Sequence, residues 1–176
     1  FRNDLSSSHI WFGVILSEQR KIPQAQNHFN EGIKIQTEIL AADKENLGEE
    51  YSLADCHLEF GKAMIKNNLP DESVKNLEKA IEIYRKIWQK DTQNLMNRHR
   101  IANAQRFLAD AFVQKNDSAK ALENYEQAHS VFIELTNRDP QNIDWQHDMA
   151  MSFMRRGEFA LKKNDKTSAL KNFRQA

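Results

Sequence analysis

Six histidines and a single cysteine are the residues here best suited to metal or nucleophilic chemistry. His9 and His57 stand 48 positions apart, as do His99 and His147. Such pairs repeat one position in successive copies of a structural unit. Equivalent first helices are expected to be separated by an intervening helix, which puts their axes roughly 16–20 Å apart, too far for ligand atoms about 2 Å from a shared zinc. His129 takes the place of Ile33 and Ile81 and reads as a half-buried packing residue. Cys56 adjoins His57, but neighbours on a helix point about 100° apart, a poor arrangement for a nucleophile and its base. A packing cysteine is the ordinary reading. No glycine-rich phosphate loop, paired-carboxylate spacing or nucleophile elbow is present. The expectation is a chain with no catalytic residue, no metal and no cofactor, and not an enzyme.

Basic clusters at Arg98-His99-Arg100, Arg155-Arg156 and Lys162-Lys163 would suit phosphate contacts. They stand in a chain with 25 basic and 25 acidic side chains and zero formal net charge. Nucleic-acid and anionic-membrane binders draw their affinity from a basic excess, so solvated helix faces are the better reading and neither partner is expected. The mean hydropathy is -0.76, and no apolar run approaches the roughly 18 residues that span a bilayer. One cysteine excludes an internal disulfide and fits a reducing, cytoplasmic compartment. Five glycines and three prolines in 176 residues suit helices better than a sheet with many turns.

The elements that carry these residues recur. Shifting the sequence by 48 positions aligns Gly13, Gly61, Ala109 and Gly157; then Ala25, Ser73, Ala121 and Ala169; then Phe29, Leu77, Tyr125 and Phe173; then Gly32, Ala80, Ala128 and Ala176. Connectors agree at Asp43-x-x-Asn46, Asp91-x-x-Asn94 and Asp139-x-x-Asn142. The copies are 1–48, 49–96, 97–144 and an incomplete 145–176, within one repeat domain over 1–176. Each reads as two amphipathic helices, in the second copy about Glu49–Lys66 and Asp71–Lys90, with apolar residues every three or four positions. Asn68, Asn116 and Asn164 share a slot in the turn where a left-handed residue ends a helix. Small residues at Gly13, Gly61, Ala109 and Gly157 predict close helix crossings, with Phe29, Leu77, Tyr125 and Phe173 filling the space beside them. Trp11, Trp88 and Trp145 fall at or near helix ends, where packing on the next copy or anchoring of a partner are both open. The fold class is all-α: an α-α superhelix, or solenoid, of stacked antiparallel helix pairs, about three and two-thirds repeats long.

A small residue, another small one 12 positions later, an aromatic 4 after that and a small residue 3 further on: this resembles the tetratricopeptide repeat. The period of 48 exceeds that family's usual 34 by about two helical turns in each helix, which keeps the apolar stripe in phase. It is similar to the long tetratricopeptide-like arrays of multidomain bacterial signalling proteins, whose opening Trp-Gln-x-Asp is matched by Trp145-Gln146-His147-Asp148. The resemblance implies a protein–protein interaction scaffold, binding a peptide or helix in a concave groove lined by the first helix of each repeat. An alternative is a regulatory repeat segment packed on an enzymatic domain elsewhere in a longer chain. Mapped onto this sequence, the groove face runs through Ser7, Ile10, Val14, Asp55, Leu58, Lys62, Asn103, Arg106, Asp110, Met151, Met154 and Glu158. Ile10 with Val14 and Leu58 with Lys62 occupy the slots of the family's terminal-carboxylate clamp, which is therefore missing. The resemblance assigns ligand binding to Asp55, Lys62, Asn103, Arg106, Asp110, Met151 and Glu158, holding a partner by hydrogen bonds and complementary charge. Neither end carries a polar capping copy, which implies a piece of a longer polypeptide and a tendency to self-associate through uncapped ends.

Overall fold

A computed structural model describes all residues, Phe1–Ala176. The chain is all-helical: α1 (Arg2–Glu18), α2 (Ile22–Ala42), α3 (Leu47–Lys66), α4 (Pro70–Lys90), α5 (Leu95–Gln114), α6 (Ser118–Arg138), α7 (Ile143–Lys162) and α8 (Lys166–Phe173), with no strand. The helices keep the beat of the sequence, since α3, α5 and α7 begin 48 residues apart, at 47, 95 and 143. No helix is long and apolar enough to cross a membrane.

Local chemistry sets the borders. The side chains of Asn46, Asn94 and Asn142 accept from the amides of Glu49, Met96 and Trp145 and so start α3, α5 and α7. Asp117 and Asp165 do the same for α6 and α8. In α2 and α4 no side chain caps the N-terminus, and proline in the first turn removes one of the amides that would need a partner. Between paired helices Asn68, Asn116 and Asn164 have φ of 57°, 60° and 58°. Each turn closes with two bonds, for example Leu69 N–H to the Met64 carbonyl and Asn68 N–H to the Ile65 carbonyl, which satisfies the last carbonyls of the first helix. Arg20 takes the same slot in the first copy at φ 57°; the sequence pattern does not single it out, because arginine is not a left-handed residue by habit.

The contacts divide the chain into two compact units, Phe1–Thr92 and Gln93–Ala176, parted at the connector between the second and third copies. In the first unit α1 packs on α2, α3 on α4, and α2 on α3. Gly13 faces Phe29 while Ile10 faces Gly32, so the pair runs antiparallel. A Cβ on Gly61 would stand 2.6 Å from Leu77 Cγ, which makes the crossing dependent on glycine. Phe29 and Phe60 are fully buried and stacked with centroids 4.6 Å apart, joining the first copy to the second.

The second unit repeats the scheme with α5 on α6, α7 on α8, and α6 on α7. Ala109 replaces glycine at its first crossing, and Gly157 at the next lies against Phe173. Tyr125 meets Phe159 edge-on across copies. Ala176, a small-residue slot in the repeat, lies beyond the end of α8 and is exposed.

Candidate functional site

First helices of consecutive copies touch within each unit, α1 with α3 and α5 with α7. This corrects the expectation of an intervening helix between equivalent positions: the second helices occupy the other layer and leave the first helices side by side. His99 on α5 consequently reaches Asp148 on α7, Nε2 to Oδ2 at 2.7 Å. Within the first copy His9 and His28 also meet, Nδ1 to Nδ1 at 3.2 Å. No group of three or more His, Cys, Asp or Glu side chains is gathered so as to hold a metal ion.

In the first unit, the α1–α3 seam opens as a cleft of about 240 Å³. Ser7, Trp11 and Val14 come from α1, Ser52, Asp55 and Glu59 from α3, and Ile10 and Cys56 form part of its buried lining. Trp11 lies in the middle of α1, not near an end, and its side chain is 64% exposed. Asp55 is held from behind by the Tyr84 hydroxyl, which donates to Oδ1. Lys62 donates to Glu59 Oε1 at 2.7 Å, one turn away on the same helix. Burial pushes the Cys56 thiol up to about 11, against a lowering contribution from Ser6, so it stays protonated and is no nucleophile. His57 bonds Asn76 on α4, and burial lowers its pKa.

In the second unit the α5–α7 seam carries interlocked charges. Arg106 is 7% exposed; its Nη2 donates to Asn103 Oδ1 at 2.7 Å and lies 3.9 Å from Asp148 Oδ1. One turn on, Tyr125 donates to Asp110 Oδ1, and Arg155 Nε stands 3.7 Å from Asp110 Oδ2. Arg155 also donates to Glu158 at 2.8 Å. Burial lowers the Arg106 pKa, with Asp148 and Asp110 opposing, and raises that of Asp110 against Tyr125, Arg155 and Arg106. Burial would raise Asp148 as well, but the His99 hydrogen bond and the charges around it prevail and bring it down.

The seven residues assigned from the resemblance therefore divide between the units. Asp55 lines the first-unit cleft, with Lys62 paired at its edge. Asn103, Arg106, Asp110 and Glu158 belong to the second-unit charge network, and Met151 is half-buried on α7 between Asp148 and Arg155 in sequence. A ligand reaching Arg106 Nη2 or the Asp110 carboxylate competes with protein partners already in place, although the buried Arg106 Nε has no hydrogen-bond partner. His99, Asp148 and Arg155 were not assigned to the site, although the period holds a signal. His99 and Asp148 are separated by one repeat plus one residue, which makes them neighbours wherever equivalent helices touch.

A second and larger concavity, about 780 Å³, lies among α6, α7 and α8. Arg156 stands there in the slot of Phe60 and Leu108, and Ala160 in the slot of Met64 and Phe112. Two slots that hold large apolar side chains in the second and third copies thus carry a cation and a methyl group here, beside an open concavity. His129 borders it, buried, with Nδ1 2.8 Å from the Ser152 hydroxyl and its pKa lowered to about 4 by burial first and then by Arg156. No protein-family model matches the chain, and no curated protein matches it either.

Proposed function

We propose that the chain is a tetratricopeptide-like interaction scaffold, not an enzyme, and that it takes an extended segment of a partner protein along the first-helix face. The observation that carries this reading is the α1–α3 cleft: a recess beside an exposed tryptophan, built from the first helices of two copies. Exposed aromatic side chains beside a recess are the usual anchors of a protein contact. At about 240 Å³ the recess is smaller than the roughly 300–1,000 Å³ of a small-molecule site, which suits one side chain of a longer ligand. In the second unit Arg106 already donates to Asn103, and Asp110 is held by Tyr125 and Arg155, so the first unit is the better place for a partner.

Selection of random peptides displayed on phage tests the reading. Selected peptides should slow amide exchange in Arg2–Glu18 and Leu47–Lys66, and Trp11→Ala should weaken them by roughly tenfold or more. Protection confined to other helices would refute this placement.

A further inference from the structure

We infer that the first-unit cleft selects an arginine side chain, supplied by a basic peptide segment of the partner; this rests on the peptide-binding reading above. The two seams of the molecule, compared slot by slot, suggest the occupant. Along α5–α7 the chain supplies its own guanidinium groups, Arg106 beside Asn103 and Asp148, and Arg155 beside Asp110 and Glu158. Along α1–α3 the Arg106 slot is Ile10 on the cleft floor, and no arginine or lysine lines the recess. Two carboxylates, Asp55 and Glu59, remain on its α3 wall, one turn apart.

The pieces match a guanidinium better than an ammonium. Trp11 offers an exposed ring from α1, and a planar cation lying on indole is favoured by the ring's quadrupole. The same flat group presents N–H donors in a fork that bridges carboxylates one turn apart, which the point charge of lysine does not do. The Tyr84 hydroxyl fixes Asp55 before the ligand arrives. Lys62 lies outside the lining and pairs with Glu59 through Oε1, so an incoming guanidinium shares Glu59 with it. Ile10 and Val14 give the methylene stem an apolar bed.

The test uses biotinylated nonapeptide mixtures, random except for a central arginine, lysine, citrulline or glutamate, captured on beads and probed with the purified chain. Retention by the arginine mixture should exceed retention by the citrulline and glutamate mixtures by roughly tenfold or more, with lysine between. Glu59→Gln, which is isosteric, and Trp11→Ala should each collapse the arginine advantage, while Glu78→Gln on the exposed face of α4 leaves it intact. Equal retention of arginine and citrulline mixtures, or an arginine advantage that survives both cleft variants, overturns the inference and leaves peptide binding standing. Retention of no mixture at all removes the peptide-binding reading and the inference with it.

Discussion

The α1–α3 seam and the α5–α7 seam occupy the same place in the repeat, yet one is a recess lined by serines, carboxylates and an indole and the other is a run of ion pairs. The backbone scheme is common to both: a left-handed turn follows every first helix, and asparagine caps α3, α5 and α7, though not α1. Side chains at four slots make the difference. Ser52 becomes Asp148, Ile10 becomes Arg106, Val14 becomes Asp110, and Glu59 becomes Arg155. Charged side chains fill the second seam with their own partners, whereas the first seam keeps a recess of about 240 Å³. One helical scheme thus carries either an ion-paired seam or an open recess, according to the side chains at four slots.

The strongest way to break the comparison is to remove one member of the ion-paired seam. Asp148→Ala strips the buried Arg106 of its cross-helix carboxylate and should cost about 3 kcal/mol in urea unfolding. Ser52→Ala, at the same slot of the open seam, should cost less than about 0.5 kcal/mol, because Ser52 only back-bonds the Gly48 carbonyl on its own helix. Equal losses would mean that the two seams do not differ in kind.

The crossings give the next effect. Gly61→Leu drives a branched side chain into Leu77, itself fully buried, and should cost about 1–3 kcal/mol or more. Gly157→Leu meets Phe173, which is 39% exposed at the end of the short α8 and free to swing aside, so its loss should be the smaller of the two by thermal melt. The double variant Arg106→Leu with Asp148→Ser gives the second seam the residue types of the first. It should regain most of the stability that Asp148→Ala loses, since replacing both members of a buried pair is often near neutral. A double variant as unstable as the sum of its parts would show that these two residues are not coupled.

Acidity acts on a histidine in each unit whose pKa burial lowers, His57 in the first and His129 in the second. His129 has a folded pKa near 4 against an ordinary 6.5. The unfolded chain therefore binds its proton first, and the stability contributed by the neutral imidazole is full above pH 6.5 and lost as pH falls towards 4. The melting temperature should drop across that window, and His129→Gln should flatten the drop; an unchanged slope would place the protonation elsewhere. A small gain is expected at the turn after α1, where Arg20→Asn relieves a left-handed arginine and should raise stability by about 0.5–1 kcal/mol in the same melt.

The sequence by itself determined the period, the helix borders, the three left-handed asparagines of the turns and the small-residue crossings. These depend on neighbours a few positions away: an asparagine reaches its own N-cap amides, and a 3.6-residue stripe exposes its phase in the chain. The face assigned from the resemblance runs through Asp55 on the α1–α3 seam and Arg106 on the α5–α7 seam. Only the tertiary structure decided which of those residues are already spent. Whether Arg106 meets Asp148 or open solvent depends on how closely α5 and α7 approach and on side chains a full repeat apart. Trp11 repeats this on the other seam: its apolarity suggests core, but the packing of α1 on α2 and α3 turns that ring outward. Partners separated by a period are chosen by the volumes at the crossings, and those become visible only when the helices stand side by side.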